Sequence, residues 1–319
     1  MAGTVLIVTD AFDVTADYVV HELDRRSVPV FRFDTAEFPQ RLAMSARLDE
    51  AGDGLLRTAH REVMLADVGA VYYRKPSIYQ LPPGLNEADE QWALREARFG
   101  FGGLLSALPV WLNHPAAIGR AEYKPVQLRA AVVSGLSVPR TLLTNDPRAT
   151  RAFAAEVGRI VFKPLSGISY DSGRKFIYTN PVDHSHLGDP DIATTATLLQ
   201  EQLDKLYEVR LVVVDDQFFG ARIDAHSDRA RVDWRADYDA LTYVPIEIPA
   251  RVRSGARRLL AELNLRFGAL DFVVTSENEE WVLLEINPNG QWAWIQEKTG
   301  LPIASAIADA LLERSACAS

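Results

Sequence analysis

The chain has one cysteine among 319 residues, Cys317. One thiol can form no internal disulfide and builds no thiolate zinc site. Long apolar runs are missing too: none approaches the ~20 residues that a membrane-spanning helix needs. The first residues lack the basic and apolar stretch of a secretory signal. Thr4-Val5-Leu6-Ile7-Val8 is too short for one and reads as a strand. A cytoplasmic protein with no membrane partner is the expectation. Basic charge is scarce, with 34 Lys+Arg against 43 Asp+Glu and a formal net charge of −9. No long basic run offsets that balance, so no nucleic-acid partner is expected. The six histidines are scattered and complete no Ser-His-Asp pattern; His114, before Pro115, reads as a loop residue.

What is present suits a folded enzyme. A hydrophobic content of 48% against 24% charged residues supports a substantial core. Thr4 to Val8 as a strand, Val14 to Arg25 as a helix and Val28 to Phe33 as a strand predict a β-α-β start. That start suggests an α/β domain with ligand loops at its strand ends. No Gly-rich turn follows the first strand, so a dinucleotide fingerprint is absent. Short strands are predicted at Met44 to Arg47, Leu55-Leu56 and Glu62 to Leu65. Tyr72-Tyr73-Arg74-Lys75-Pro76 ends the next strand, where Arg74 and Lys75 could grip an anion or simply be solvated. Helical spacing covers Glu87 to Leu108, with Gly100, Gly102 and Gly103 weakening its centre. Asn113 is expected to cap a helix that runs to about Val133 and carries Lys124, with Pro125 perturbing it midway.

Further along, Ile160-Val161-Phe162-Lys163 is an apolar strand ending in a cation. A lysine there is costly unless it meets an anion. The loop beginning Pro164-Leu165-Ser166-Gly167 could fold its backbone N–H groups over a phosphate. Because the lysine precedes the glycine, this is not the P-loop pattern. Tyr207 to Val214 and Phe218 to Ile223 read as a hairpin turning at Asp215-Asp216. Glu208 and Arg210 share one face of it, either as parts of an ordinary salt bridge or as nucleotide contacts. The basic residues of the Ala250 to Leu263 helix read as a solvated face.

Near the C-terminal end stands Leu283-Leu284-Glu285-Ile286-Asn287-Pro288-Asn289-Gly290. At i and i+2 of a strand, Glu285 and Asn287 point the same way. If the run Phe267 to Val274 is its antiparallel partner, Asp271 can face that side as well. Two carboxylates and an amide carbonyl suit Mg²⁺, which takes few protein ligands and completes its shell with water and phosphates. The alternative is a plain strand end followed by an Asn-Pro turn.

The order of these features resembles the ATP-grasp superfamily over roughly residues 110–312. Asp271 with Leu284-Glu285-Ile286-Asn287-Pro288 carries most of the likeness. The Lys163-Pro164 strand end and the hinge Gln200-Glu201-Gln202 add to it. A narrower likeness is to ATP-grasp maturases of ribosomal peptides, the graspetide or microviridin-type macrocyclases. It rests on Tyr72 to Pro76, Trp111-Leu112-Asn113, Asp233-Trp234-Arg235 and Asn287 to Trp292. Arg74-Lys75-Pro76 departs from the Arg-Arg-Pro common in the actinobacterial type, and Arg and Lys are not interchangeable at a bidentate site.

The resemblance implies an α/β (α+β) ATP-grasp fold. Its parts would be an N-terminal pre-ATP-grasp domain over 1–114, a central domain over 115–190 and a C-terminal domain over 191–319. It implies ATP and Mg²⁺ as cofactors, a precursor peptide of leader plus core as partner, and a homodimer. Lys124, Lys163, Ser166 and Gly167 would meet ATP phosphates. Glu201 and Leu203 would line the adenine hinge through backbone groups, and Glu208 would hold the ribose. Arg210 would face the γ-phosphate and the acyl-phosphate. Asp271, Glu285 and Asn287 would hold the metal. Arg74, Asp233 and Arg235 would engage the peptide, the last two also acting in catalysis. The implied reaction activates an Asp or Glu side chain of the peptide and joins it to a hydroxyl or amine. Two other readings remain open: a ligase for free amino acids or a protein tail, and a nucleotide-binding regulator without turnover.

Overall fold

The computed structural model describes residues 3–49, 53–166, 169–170, 175–177, 179–187, 189–227 and 237–315. Gly167, Asp233, Trp234 and Arg235 lie outside the described residues.

The N-terminal sheet is parallel. Strand β1 (Thr4–Val8) lies between β2 (Val30–Phe33) and β6 (Val68–Tyr73), with helix α1 (Val14–Arg25) as the first crossover. Asp13 caps α1, accepting from Thr15 N and Ala16 N, which satisfies donors that a helix start leaves open. The three short predicted strands form a separate antiparallel sheet, β3 (Ala43–Ala46), β4 (Gly54–Arg57) and β5 (Glu62–Met64). Helix α2 (Glu87–Ser106) runs unbroken through its glycines and buries Ala97, Phe101 and Leu105. Phe101 and Leu105 join a core with Leu6, Val8, Phe33 and Val71 on one face of the parallel sheet. That packing supplies what the helix's propensity lacks.

The predicted long helix around Lys124 is in fact two. Helix α3 (Pro115–Ala121) ends, and α4 (Lys124–Val133) restarts with Pro125 in its first turn. Proline is tolerated there because its missing N–H would have had no helical partner. His114, not Asn113, caps α3, its Nδ1 accepting from Ala116 N at 3.1 Å.

A four-stranded antiparallel sheet follows: β7 (Thr141–Thr144), β8 (Ile160–Lys163), β11 (Asn180–Pro181) and β12 (Thr197–Glu201), in the order β11-β8-β12-β7. A two-residue pair, β9 (Ser169–Tyr170) with β10 (Lys175–Phe176), stands outside this sheet. Helix α5 (Pro147–Val157) covers one face through Ala154, beside Ile160 and Leu199.

The largest sheet is antiparallel, in the order β15-β14-β13-β16-β17. Its strands are β13 (Lys205–Val214), β14 (Gln217–Ala225), β15 (Leu241–Pro245), β16 (Phe267–Thr275) and β17 (Trp281–Asn287). One face buries Val209, Leu211, Leu270, Phe272 and Leu283 under α6 (Ala250–Glu262), α3 and α4. Helices α3 and α4, which the expected division at 115 assigns to the central unit, therefore pack on the C-terminal sheet. The other face is apolar at one end only. There Val212, Val214, Phe267 and Ala269 meet α8 (Ile303–Ser315) and share a core with Val5, Ile7 and Tyr72 of the N-terminal sheet. Helix α7 (Ala293–Thr299) precedes α8 and ends at Gly300, with φ 72°. Among the described residues, no helix is long and apolar enough to cross a membrane.

Candidate active site

The other end of that second sheet face is polar. Glu208 and Arg210 continue the side of β13 that carries Val212 and Val214, because side chains alternate along a strand. Arg210 is the register partner of Asp271, and Asp271 of Glu285; Asn287 lies opposite Ala269. Residues directly opposite one another share a face. Arg210, Asp271, Glu285 and Asn287 therefore stand together, as the antiparallel reading of β16 and β17 requires.

Simple alternation would not have achieved this. Leu283 and Ile286 both enter the core under α6, although they are three residues apart. The register slips between Asp271 and Phe272, since Asp271 pairs with Glu285 but Phe272 with Leu283. Leu284 is the extra residue. A bulge of this kind re-aims side chains, and here it turns Glu285 and Asn287 onto the face of Asp271.

Cations meet both carboxylates. Arg210 donates to Asp271 Oδ1 at 2.7 Å, with side-chain exposures of 7% and 10%. Lys124 Nζ reaches Glu285 Oε2 at 2.7 Å from the first turn of α4. Glu208 is paired with Lys205. Asn287 Oδ1 accepts from Asn289 N at 2.9 Å, and Gly290 N donates to Asn287 O. The Asn-Pro-Asn-Gly segment is thus a real turn as well as the end of the donor strand. It packs tightly: a Cβ on Gly290 would lie 2.3 Å from Ala269 Cβ and 2.9 Å from a terminal nitrogen of Arg210.

Asn113 is a functional position that the sequence misplaces. It is buried at 3% exposure. Its amide nitrogen donates to Phe267 O at 2.8 Å and Pro288 O at 2.9 Å, and its oxygen accepts from Arg266 N and Phe267 N. It therefore holds the start of β16 and the turn after β17 together rather than capping a helix.

The other expected nucleotide residues lie on the central sheet. Leu198 pairs with Lys163, and Gln200 with Val161 and Thr141. These residues share the face opposite the one that packs Ile160, Phe162 and Leu199 against α5. Gln200 is buried at 1%, donates to Thr141 Oγ1 at 3.0 Å, and leaves its own Oε1 without a partner. Glu201 is turned away, its carboxylate accepting from Arg140 N at 2.9 Å. Leu203 is half-buried in the connection from β12 to β13, and Ser166 is exposed beyond Lys163.

Arg74 corrects the expectation of a substrate grip. It is 1% exposed, with Nε at 2.5 Å from Asp13 Oδ2 and a terminal nitrogen at 2.9 Å from Gln291 Oε1. A guanidinium this buried must be paired within the protein. Burial alone would push the Asp13 carboxyl up, but the hydrogen bond and charge of Arg74, with Thr9, hold it below the usual carboxylate value. Lys75 remains exposed, yet its ammonium is held below the usual lysine range. Desolvation by the surrounding protein is the main cause, and repulsion from Arg74 and Arg210 adds to it against the pull of Asp13 and Glu122.

The residues present fit a magnesium nucleotide. The donors are hard oxygens of the number Mg²⁺ takes from protein. Among the described residues, no group of three or more His, Cys, Asp and Glu gathers as a softer metal site. Among the described residues three buried side-chain polar atoms lack partners, Arg210 Nε, Gln200 Oε1 and Trp292 Nε1. A phosphate oxygen satisfies the first and a base amino group the second.

Comparison with known proteins agrees with this fold. Residues 4–119 match the family described as the MvdD pre-ATP grasp domain. The fold is similar to the RiPP-associated ATP-grasp ligase of Chryseobacterium gregarium, solved with ADP and a leader and core peptide. The two are 27% identical over 97% of this chain and 96% of that one, with a TM-score of 0.89. The macrocyclase MdnC of Microcystis aeruginosa MRC, solved with precursor peptide MdnA, is 29% identical over 97% of this chain and 99% of its own, with a TM-score of 0.84. The ATP-grasp ligase PsnB, solved with minimal precursor, Mg and ADP, is 26% identical over 98% and 97%, with a TM-score of 0.76. No curated protein matches the chain by sequence. With a pre-ATP-grasp domain at its start and this fold throughout, the chain is an ATP-grasp ligase, similar over nearly its whole length to the ATP-grasp maturases of ribosomal peptides.

Proposed function

We propose that the chain is an ATP-dependent peptide macrocyclase. It phosphorylates Asp or Glu side chains of a ribosomal precursor peptide and joins them to Thr or Ser hydroxyls as esters, or to Lys amines as amides. The observation that carries this reading is the single polar sheet end where Arg210, Asp271, Glu285 and Asn287 share a face and Lys124 arrives from α4.

ATP lies between the central and C-terminal sheets in this reading. Lys163, with Ser166 and Gly167 beyond it, and Lys124 meet the phosphates. The backbone at Glu201 and Leu203 reads the adenine edge, with the orphan oxygen of Gln200 beside it, and Glu208 holds the ribose. Asp271, Glu285 and Asn287 hold magnesium, which when bound offsets charge on the β- and γ-phosphates. Lys124 and Arg210, now paired with the two carboxylates, turn to phosphate oxygens when the nucleotide enters. A carboxylate oxygen of the peptide attacks the γ-phosphorus, the bond to the β-phosphate oxygen breaks, and ADP leaves. Arg210 then stabilises the acyl-phosphate by charge. A hydroxyl or amine of the same peptide attacks the acyl carbon, expelling phosphate and losing its proton. Holding both groups in one bound peptide makes that step effectively unimolecular. By resemblance, Asp233 takes the proton and Arg235 pairs with an acidic core residue.

The precursor partner, the homodimer, the cytoplasmic location and the division into 1–114, 115–190 and 191–319 belong to the same proposal. The test is incubation with ATP, Mg²⁺ and candidate precursor peptides that carry repeated Thr and Asp/Glu near their C-termini. ADP release with loss of about 18 Da per linkage supports the reading. ADP release only with free amino acids would overturn it.

A further inference from the structure

We propose that Arg74 is a positioning residue. Through Gln291 it sets Arg210 and the turn that carries Asn287, so the N-terminal sheet fixes the geometry of transfer. This rests on the macrocyclase reading for its kinetics but not for its contacts.

Gln291 is the joint between the two parts of the chain. Its side-chain oxygen accepts from Arg74 at 2.9 Å and from Thr15 Oγ1, both in the N-terminal part. Its backbone oxygen accepts from a terminal nitrogen of Arg210 at 3.2 Å. Arg74 is itself held by a fork to Asp13, with Nε at 2.5 Å and a terminal nitrogen at 3.3 Å from the two carboxylate oxygens. Asp13 is fixed as the cap of α1. A buried ion pair adds little net stability compared with apolar packing, but it defines direction, because the guanidinium fork is planar and rigid.

Arg210 needs that guidance. Among the described residues its side chain otherwise hydrogen-bonds to Asp271, and its Nε has no partner. Gly290 brings the turn close enough that even a Cβ would crowd the Arg210 head at 2.9 Å. A second support comes independently from Asn113, which holds Pro288 O at 2.9 Å. The turn after β17 is therefore anchored twice from the N-terminal part, on either side of Gly290. A displacement of about 1 Å at a transfer site can cost roughly a hundredfold in rate.

The test compares Gln291→Met, which keeps length but loses the acceptor, with Gln291→Glu, which keeps an acceptor oxygen. In steady-state assays with ATP, Mg²⁺ and precursor peptide, Gln291→Met lowers kcat about tenfold or more, while KM for ATP and peptide stays within about threefold. Gln291→Glu retains kcat within about threefold. Hydrogen–deuterium exchange on the ligand-free protein reads the contact directly: exchange across 286–292 speeds up in Gln291→Met and not in Gln291→Glu. Wild-type kcat and exchange in Gln291→Met would overturn the proposal. So would equal losses in both variants, or a fall in melting temperature that accounts for the lost turnover. If the wild type fails to modify peptide, the function reading falls, while exchange across 286–292 in Arg74→Met, which keeps Gln291 and Thr15, still decides whether Arg74 anchors the turn: wild-type exchange there would overturn the proposal.

Discussion

Arg210 and Asp271 face each other in register across β13 and β16, and their side chains close a buried 2.7 Å ion pair. The proposed metal ligand is thus already partnered by the proposed γ-phosphate ligand. Removing either side chain does two things at once. Asp271→Ala strips a metal donor and also leaves a buried guanidinium uncompensated, which costs about 3–5 kcal/mol. Asp271→Asn keeps the shape and an acceptor oxygen. Both variants should lose at least about a hundredfold in ADP release; Asp271→Asn, which keeps an acceptor for Arg210 but not the charge, should melt earlier than wild type and later than Asp271→Ala. Calorimetry beside the ADP assay separates the two effects.

Glu285 should behave differently, because its pair with Lys124 is only partly enclosed, at 17% and 21% side-chain exposure. Glu285→Gln should leave melting nearly unchanged. It should raise the Mg²⁺ concentration for half-maximal turnover about tenfold or more, as expected for a lost charged ligand. A magnesium titration at fixed ATP reads this, and an unchanged midpoint would remove Glu285 from the metal set.

Gly290→Ala should be costly, because the turn is buried against the sheet. The new methyl would lie 2.3 Å from Ala269 Cβ, and relieving such overpacking costs about 1–3 kcal/mol. Because the turn also carries Asn287, turnover should fall with stability. Denaturant melts and ADP release measured together test this.

Asn113→Leu should destabilise the chain by about 3 kcal/mol or more, since two carbonyls and two N–H groups lose their partner in a buried place. Asn113→Asp should fare no better, because an acceptor oxygen would then face the carbonyls of Phe267 and Pro288. Urea denaturation of both variants checks the prediction.

Acid should weaken the N-terminal support. The folded-state pKa of Asp13 lies below its usual 3.8. The unfolded chain therefore takes up that proton first as pH falls. The stability from Asp13 is present in full above the usual carboxylate range and is lost as pH drops through the folded value. Asp13→Asn should be less stable than wild type at neutral pH, with the gap narrowing in acid. Melting temperatures measured between neutral pH and the acid limb test the sign.

The sequence by itself determined most of the elements and the residues proposed for the site. Apolar runs and turn residues placed most strands, and the two-residue spacing of Glu285 and Asn287 with Asp271 upstream named the donor hairpin. The comparisons agree with the superfamily that this order of residues resembles. What sequence could not decide was which side chains are consumed by the protein's own interior. Arg74 reads as a surface cation because nothing nearby in the chain shows that Asp13 and Gln291 will enclose it. Asn113 reads as a helix cap because its four partners lie some 150 to 175 residues away. The bulge at Leu284 is equally silent in the local pattern, since it exists only against the register of β16. Hydrogen-bond capacity is written into each residue, but a buried group's partners are chosen by packing between distant elements. Tertiary structure alone made one arginine an anchor and another the cation of the cleft.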